Sequence, residues 1–190
     1  MLPTMFKTAD DFAALLEPHY NNALQYCRAL YQNKKDAEDG LQDALITAMQ
    51  KFYSLKDEKK FRSWLFTIIT RTFYKAYGKE LKKNQLFTEL NERHNHFPEV
   101  YDEEFSDREN ILMDALNTLT DKEKAAILLF ELGKFSIEEI KNIQSEGSTS
   151  AIKSRLSRTR EKLRNTITLM EKSNKYQGGN YDVKSSLPGL

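Results

Sequence analysis

The stretch SIEEIKNIQSEGSTSAIKSRLSRTREKLR, Ser136–Arg164, carries the reading of this chain. Ser136 followed three residues on by Glu139 is a capping box, so a helix opens at Ile137 and runs through Ile140 and Ile143. The polar run Ser145-Glu146-Gly147-Ser148 then breaks the pattern, with Gly147 as the expected pivot. A second helix follows from Ala151, with Ile152, Leu156, Leu163, Ile167 and Met170 on its buried side. Between Lys153 and Arg164 stand six basic residues and one acid, Glu161. A short capped helix, a tight turn and a basic helix make a helix-turn-helix suited to a DNA major groove. The residues placed to meet base edges or phosphates are Ser148, Thr149, Ser150, Lys153, Ser154, Arg155, Arg158 and Arg160. A solvated basic face on an ordinary helical hairpin is the plainer alternative.

Upstream, the same logic repeats. Thr120 with Glu123 is another capping box, opening a helix through Ala126, Ile127, Leu129 and Phe130 that Gly133 closes. Before it, Ile111, Leu112, Ala115, Leu116 and Leu119 form a short apolar stripe. The first half is helical too. One face gathers Phe12, Leu15, Leu16, Tyr20, Ala23, Leu24, Cys27, Leu30 and Tyr31, with Pro18 as a point where this helix kinks or divides. Asp36 is the expected N-cap of a second helix with the stripe Ala37, Leu41, Leu45, Ala48, Met49 and Phe52. After a polar loop, Ser54–Lys60, a third helix places Phe61, Trp64, Leu65, Ile68, Ile69 and Phe73 toward a core, and Gly78 ends it. Residues 81–107 lose periodicity, and Glu99–Asp107 holds five acids and no base. The tail from Ser173 is rich in Gly, Ser and Lys and is expected to be disordered.

The fold class expected is therefore all-α: two small helical domains, 6–80 and 108–172, joined by an acidic flexible linker, 81–107, with a disordered tail, 173–190. The net charge of +1 hides this separation of a basic helix from an acidic segment. Mean hydropathy of −0.66 and short apolar runs argue against a membrane span. The first residues show no pattern of a signal peptide. A lone cysteine, Cys27, excludes an internal disulfide and fits a reducing compartment, so the cytoplasm is expected.

Two further surfaces stand out. On the third helix Ser63, Thr67, Thr70, Arg71, Tyr74 and Lys75 fall opposite the apolar stripe, a mixture of rings and cations suited to single-stranded DNA. Phe61 and Trp64 sit at core spacing. On the second helix Glu38, Asp39, Gln42 and Asp43 face outward, a protein-binding face rather than an acid–base pair. Enzyme signals are absent: no glycine-rich phosphate loop, no zinc spacing, and only a weak His94-Asn95-His96 string in the polar segment. His19 reads as an interior or boundary residue of the first helix, and Cys27 as core. No enzyme activity, metal or cofactor is expected.

Taken in order, DAEDGLQDALITAMQKF (Asp36–Phe52) and FRSWLFTII (Phe61–Ile69) resemble region 2 of the extracytoplasmic-function (ECF) sigma factors. LTDKEKAAILLFELGKFSIEEIKNI (Leu119–Ile143) with AIKSRLSRTREKLR (Ala151–Arg164) resembles region 4 of the same family. The resemblance implies a transcription-initiation factor that binds bacterial core RNA polymerase and promoter DNA, and an anti-sigma factor as a further partner. It implies that Asp39, Gln42 and Asp43 grip the clamp helices of the polymerase. It implies minus-10 contacts from Lys59, Lys60, Arg62, Ser63, Trp64, Thr67, Thr70, Arg71, Tyr74 and Lys75. It gives the Ser148–Arg160 helix the minus-35 element, and the 81–107 linker a path toward the RNA exit channel. Two departures stand against the family pattern. Thr67, Thr70 and Arg71 replace a basic residue followed by an Arg-Asn pair, and the turn Gln144–Ser148 is more polar and one residue longer. A sigma mimic that occupies an anti-sigma factor, a free-standing helix-turn-helix repressor and a nuclease are the competing readings; the basic row Lys153, Arg155, Arg158 and Arg160 disfavours the mimic.

Overall fold

The computed structural model describes residues 8–87 and 107–178, with side chains described over 8–77 and 108–173. The described residues form helices and short 3₁₀ turns, with no strand among them. The expected linker between 88 and 106, with its His94-Asn95-His96 string, lies outside the described residues, as do residues 1–7 and 179–190.

Helix α1 (Ala9–Leu30) starts at a capping box, Thr8 with Asp11. It runs unbroken past Pro18, correcting the expected break: the proline ring is exposed, and only one backbone donor is lost. Helix α2 (Lys34–Lys51) is capped by Asn33, whose Oδ1 accepts from the Asp36 amide at 2.8 Å. Asp36 therefore sits inside the first turn and is not the cap. Two 3₁₀ turns, Phe52–Ser54 and Glu58–Lys60, lead into α3 (Phe61–Phe87), which passes Gly78 without stopping. The linker is thus shorter at its start than the sequence pattern implied.

In the second half come α4 (Asp107–Asn117), α5 (Asp121–Glu131), α6 (Ile137–Ile143) and α7 (Thr149–Gly178). Both expected capping boxes form, Thr120–Glu123 and Ser136–Glu139. The expected pivots move by a residue or two. Lys134 (φ 51°) and Ser145 (φ 55°) adopt the left-handed conformation, whereas Gly133 and Gly147 do not. Gly133 is needed for space instead: a Cβ there would meet Phe135 Cδ2 at 2.6 Å and the Leu129 carbonyl at 2.7 Å.

The core of the first half is aromatic. Phe12 packs edge-on against Phe52 and Phe61 at 5.4 and 5.6 Å, and Tyr31 against Phe73 at 5.2 Å. Tyr31 lies so close over Gly40 that no side chain fits at that position of α2. The expected stripe members Tyr20, Met49 and Leu112 are instead exposed. The buried residues of both halves belong to one continuous cluster. Its bridge is Phe66 of α3 against Phe135, the residue before α6's cap, with ring centroids 4.9 Å apart. Polar links accompany it. Lys124 Nζ donates to the Leu30 carbonyl at the end of α1 at 2.8 Å, and Arg62 donates to the Gly133 carbonyl.

Candidate nucleic-acid interface

The helix-turn-helix is held by a polar network within its turn. Gln144, buried, uses its amide nitrogen to donate to the Lys122 carbonyl at 3.0 Å and to the Tyr74 hydroxyl at 3.1 Å. Its amide oxygen accepts from Arg155 at 2.6 Å. Glu146 accepts from Arg155 at 2.7 Å and from Lys122 at 3.1 Å. These hydrogen bonds, that of Arg155 foremost, hold the Glu146 carboxyl below its ordinary range. The extra polarity of this turn thus has a structural use: it ties α5, α6 and α7 together.

That network changes the expected roles of two residues. Arg155 is only 15% exposed in its side chain and is engaged by the turn; it ties α7 to Gln144 and Glu146 instead of facing outward. Ser148 caps α7, its Oγ accepting from the Ala151 amide at 3.1 Å. Lys153, Ser154, Arg158 and Ser150 are exposed along the same helix, and Thr149 is half-buried. Arg160 is exposed but paired, 3.0 Å from Glu131 and 4.8 Å over the Phe130 ring. The outward basic row is therefore Lys153 and Arg158, with Arg160 reachable once it leaves Glu131.

On α3 the expected outward side divides. Lys59, Lys60, Arg71 and Lys75 are exposed; Arg62, Ser63, Trp64, Thr67 and Tyr74 are half-buried. Thr70 is fully buried, its hydroxyl donating to the Phe66 carbonyl at 2.8 Å and 3.0 Å from the Tyr26 hydroxyl. It is a core residue, which corrects its expected place on the solvent side. Trp64 packs against Phe61 and Phe52, at 5.8 and 6.5 Å between ring centroids. His19 stacks on Phe61 at 6.2 Å, its pKa lowered by burial and then by Arg62. Tyr53 went unnoticed in the sequence. It stands 81% exposed in the turn before α3, and its only signal was an aromatic residue off the α2 stripe.

The outer ridge of α2 is exposed at Asp39, Gln42 and Asp43. Asp39 and Asp43 border one open groove with Tyr31, Lys75 and Tyr77; Gln42 borders another with Tyr20, Leu24 and Leu45. The carboxylates and the amide thus face opposite flanks of a ridge. Among the described residues no cluster of His, Cys, Asp or Glu could hold a metal, and no helix is long and apolar enough to cross a membrane.

Residues 15–82, spanning most of α1 through α3, match the family model for Sigma-70 region 2. Over 167 residues the chain is 28% identical to the RNA polymerase sigma factor YlaC of Bacillus subtilis, covering 85% of this chain and 95% of that protein. It is 28% identical over 163 residues to the ECF RNA polymerase sigma-E factor of Haemophilus influenzae, covering 80% and 86%. The chain is similar to RNA polymerase sigma factors over most of its length, and residues 15–82 carry the Sigma-70 region 2 pattern. Its fold agrees with those of two solved structures. The sigma factor RpoE of Bartonella quintana, in complex with the anti-sigma factor NepR, superposes with a TM-score of 0.68 at 26% identity, over 84% of this chain and 98% of that one. CnrH, in complex with the cytosolic domain of CnrY, gives 0.60 at 19% identity over 85% and 90%, a likeness of fold. The likeness to RpoE extends past the region 2 match into the helices that follow α3.

Proposed function

We propose that this protein binds core RNA polymerase and directs it to specific promoters, with no catalytic step of its own. The observation that carries the reading is exposed cations at the start of and along α3 and again along α7, in one chain with the exposed carboxylate ridge of α2. Region 2, residues 6–80, supplies the polymerase grip through Asp39, Gln42 and Asp43, and the minus-10 surface. On that surface Lys59, Lys60, Arg71 and Lys75 follow the backbone of the melted strand, with Arg62 and Tyr74 joining them. Trp64 is half-buried against Phe52 and Phe61. Unstacking a base costs a few kcal/mol, which a fitted pocket and polymerase contacts offset. Region 4, residues 108–172, reads the minus-35 element with Ser150, Lys153, Ser154 and Arg158, while Arg155 holds the helix at its angle.

The protein acts where core polymerase is, in the cytoplasm. RpoE, the solved relative at 26% identity, is in complex with the anti-sigma factor NepR, and this supports an anti-sigma partner here. The test is run-off transcription with core polymerase on DNA selected from its own genome. Promoter-specific transcripts and co-purification with core are expected. A protein that neither binds core nor yields a specific transcript refutes the reading.

A further inference from the structure

Several cations of α7 are answered by acids of the same chain. Arg155 meets Glu146 at 2.7 Å, Arg160 meets Glu131 at 3.0 Å and Lys162 meets Glu123 at 3.6 Å. The pairs differ in kind. That of Arg155 lies in the turn, its side chains 15% and 17% exposed, whereas that of Arg160 is open to solvent at 44% and 50%. Arg160 also has a particular place on the helix. Lys153, Arg160 and Arg164 follow one another by seven and four residues, so all three fall within about 20° of one line along α7, over roughly 16 Å. Lys153 and Arg164 are exposed along that line. Such a row suits the phosphates that wall a major groove. Glu131, the last residue of α5, sets a carboxylate into it.

We infer that Glu131 is a built-in competitor of duplex DNA: it holds Arg160 until a phosphate takes the guanidinium over, and so lowers the affinity of the reading helix; this rests on the proposed role of α7. The chemistry suits exchange. A phosphate and a carboxylate accept the same forked N–H donors of a guanidinium, so one replaces the other without a new kind of bond. The Phe130 ring supports the group, its centroid 4.8 Å from Arg160 Cζ. A contact with a ring face leaves the N–H groups able to change acceptor. Solvent screening keeps an exposed pair weak, worth at most about fivefold in an equilibrium constant. Glu131 therefore tempers DNA binding and does not block it. A pair that served only to join α5 to α7 makes the opposite prediction, because its loss would loosen the helix and weaken binding.

The test is a double-mutant cycle on the full chain: Glu131→Gln, Arg160→Gln and the two together, both positions being exposed. Binding is read by fluorescence anisotropy on a labelled duplex of mixed sequence, about 30 base pairs long, since a phosphate contact carries no sequence information. At about 50 mM salt Glu131→Gln is expected to tighten binding about threefold to fivefold, and the gain to fade near about 0.5 M as the charges are screened. In the Arg160→Gln background the same change is expected to gain less than about 1.5-fold, because its effect passes through the arginine. Weaker binding by Glu131→Gln overturns the inference. So does an equal gain in both backgrounds, which would make Glu131 a general negative charge beside the DNA. A second arm follows holoenzyme carrying Glu131→Gln on a promoter fragment found by run-off transcription; slower dissociation is expected, and an unchanged rate overturns the inference. Promoter-specific transcription by wild type with no coupling in the cycle sinks the competitor role and leaves the function standing. Coupling in a chain that neither binds core nor transcribes sinks the function and leaves the competition for duplex DNA in place.

Discussion

Lys124 offers a prediction whose size follows from its surroundings. Its ammonium is buried between the halves, donating to the Leu30 carbonyl and to Asn117 Oδ1, both at 2.8 Å. Burial pushes its pKa down to about 8, with Asp121 opposing the shift. In the unfolded chain the same lysine titrates near its ordinary value of 10.5. Between pH 8 and 10.5 the unfolded state therefore binds more protons than the folded state, and stability rises with pH. Below pH 8 both states carry the charge, so the burial penalty is present in full. From pH 7 to pH 9 the gain from this one group is about 1.4 kcal/mol. Other groups oppose it at higher pH: Cys27, raised by burial to about 12, keeps its proton in the folded state after the unfolded thiol has lost its own. The informative quantity is accordingly a difference. Urea unfolding of wild type and of Lys124→Met, measured at pH 7, 8 and 9, isolates the lysine whatever its removal costs in lost hydrogen bonds. Wild type should gain about 1 to 1.5 kcal/mol on the variant across that range. A gap that stays flat with pH, or narrows in the variant's favour, refutes the reasoning.

Three further outcomes follow from the geometry. Lys153→Ala should weaken holoenzyme binding to promoter duplexes of different sequence alike and flatten the salt dependence by about one counterion, whereas Arg155→Met should leave that slope unchanged and instead lower the thermal midpoint, because Arg155 bonds Gln144 and Glu146; a full loss of slope from Arg155→Met would return it to the DNA surface. Thr70→Val should cost about 1–3 kcal/mol in urea unfolding by leaving the Tyr26 hydroxyl buried without its partner, and a neutral result would place that pair in water. Gly133→Ala should destabilise by about 1–3 kcal/mol, since its Cβ would press on Phe135 and on the Leu129 carbonyl; unchanged stability would mean that the loop yields freely.

The candidate surfaces were legible to different depths. The outward residues of α2 and the exposed row Lys153 and Arg158 on α7 follow directly from helical period and charge, and the structure has them at the surface. Helix α3 was harder. Its period separated Phe61, Leu65, Ile69 and Phe73 from Thr67, Thr70, Arg71 and Tyr74, but it gave no sign that Phe66 and Thr70 are also wholly buried. A helix covered on two sides shows a mixed pattern, and polar residues on its second side look solvated until their partners are known. Gln144 and Glu146 posed the same difficulty: a polar turn reads as exposed, although here it is the tie between three helices.

What the sequence by itself determined is local: seven helical stretches in two groups, capped where Thr120 and Ser136 meet their glutamates, and a basic helix behind a tight turn. Caps and amphipathic period act over three or four residues, so they can be read without the fold. Only the tertiary structure decided that the two groups share one core and that the α3 face is covered. Those contacts join residues seventy or more apart, Tyr74 with Gln144, Arg62 with Gly133 and Leu30 with Lys124. A backbone carbonyl accepting a distant lysine or arginine carries no side-chain signature, and such pairings exist only once the chain has brought them together.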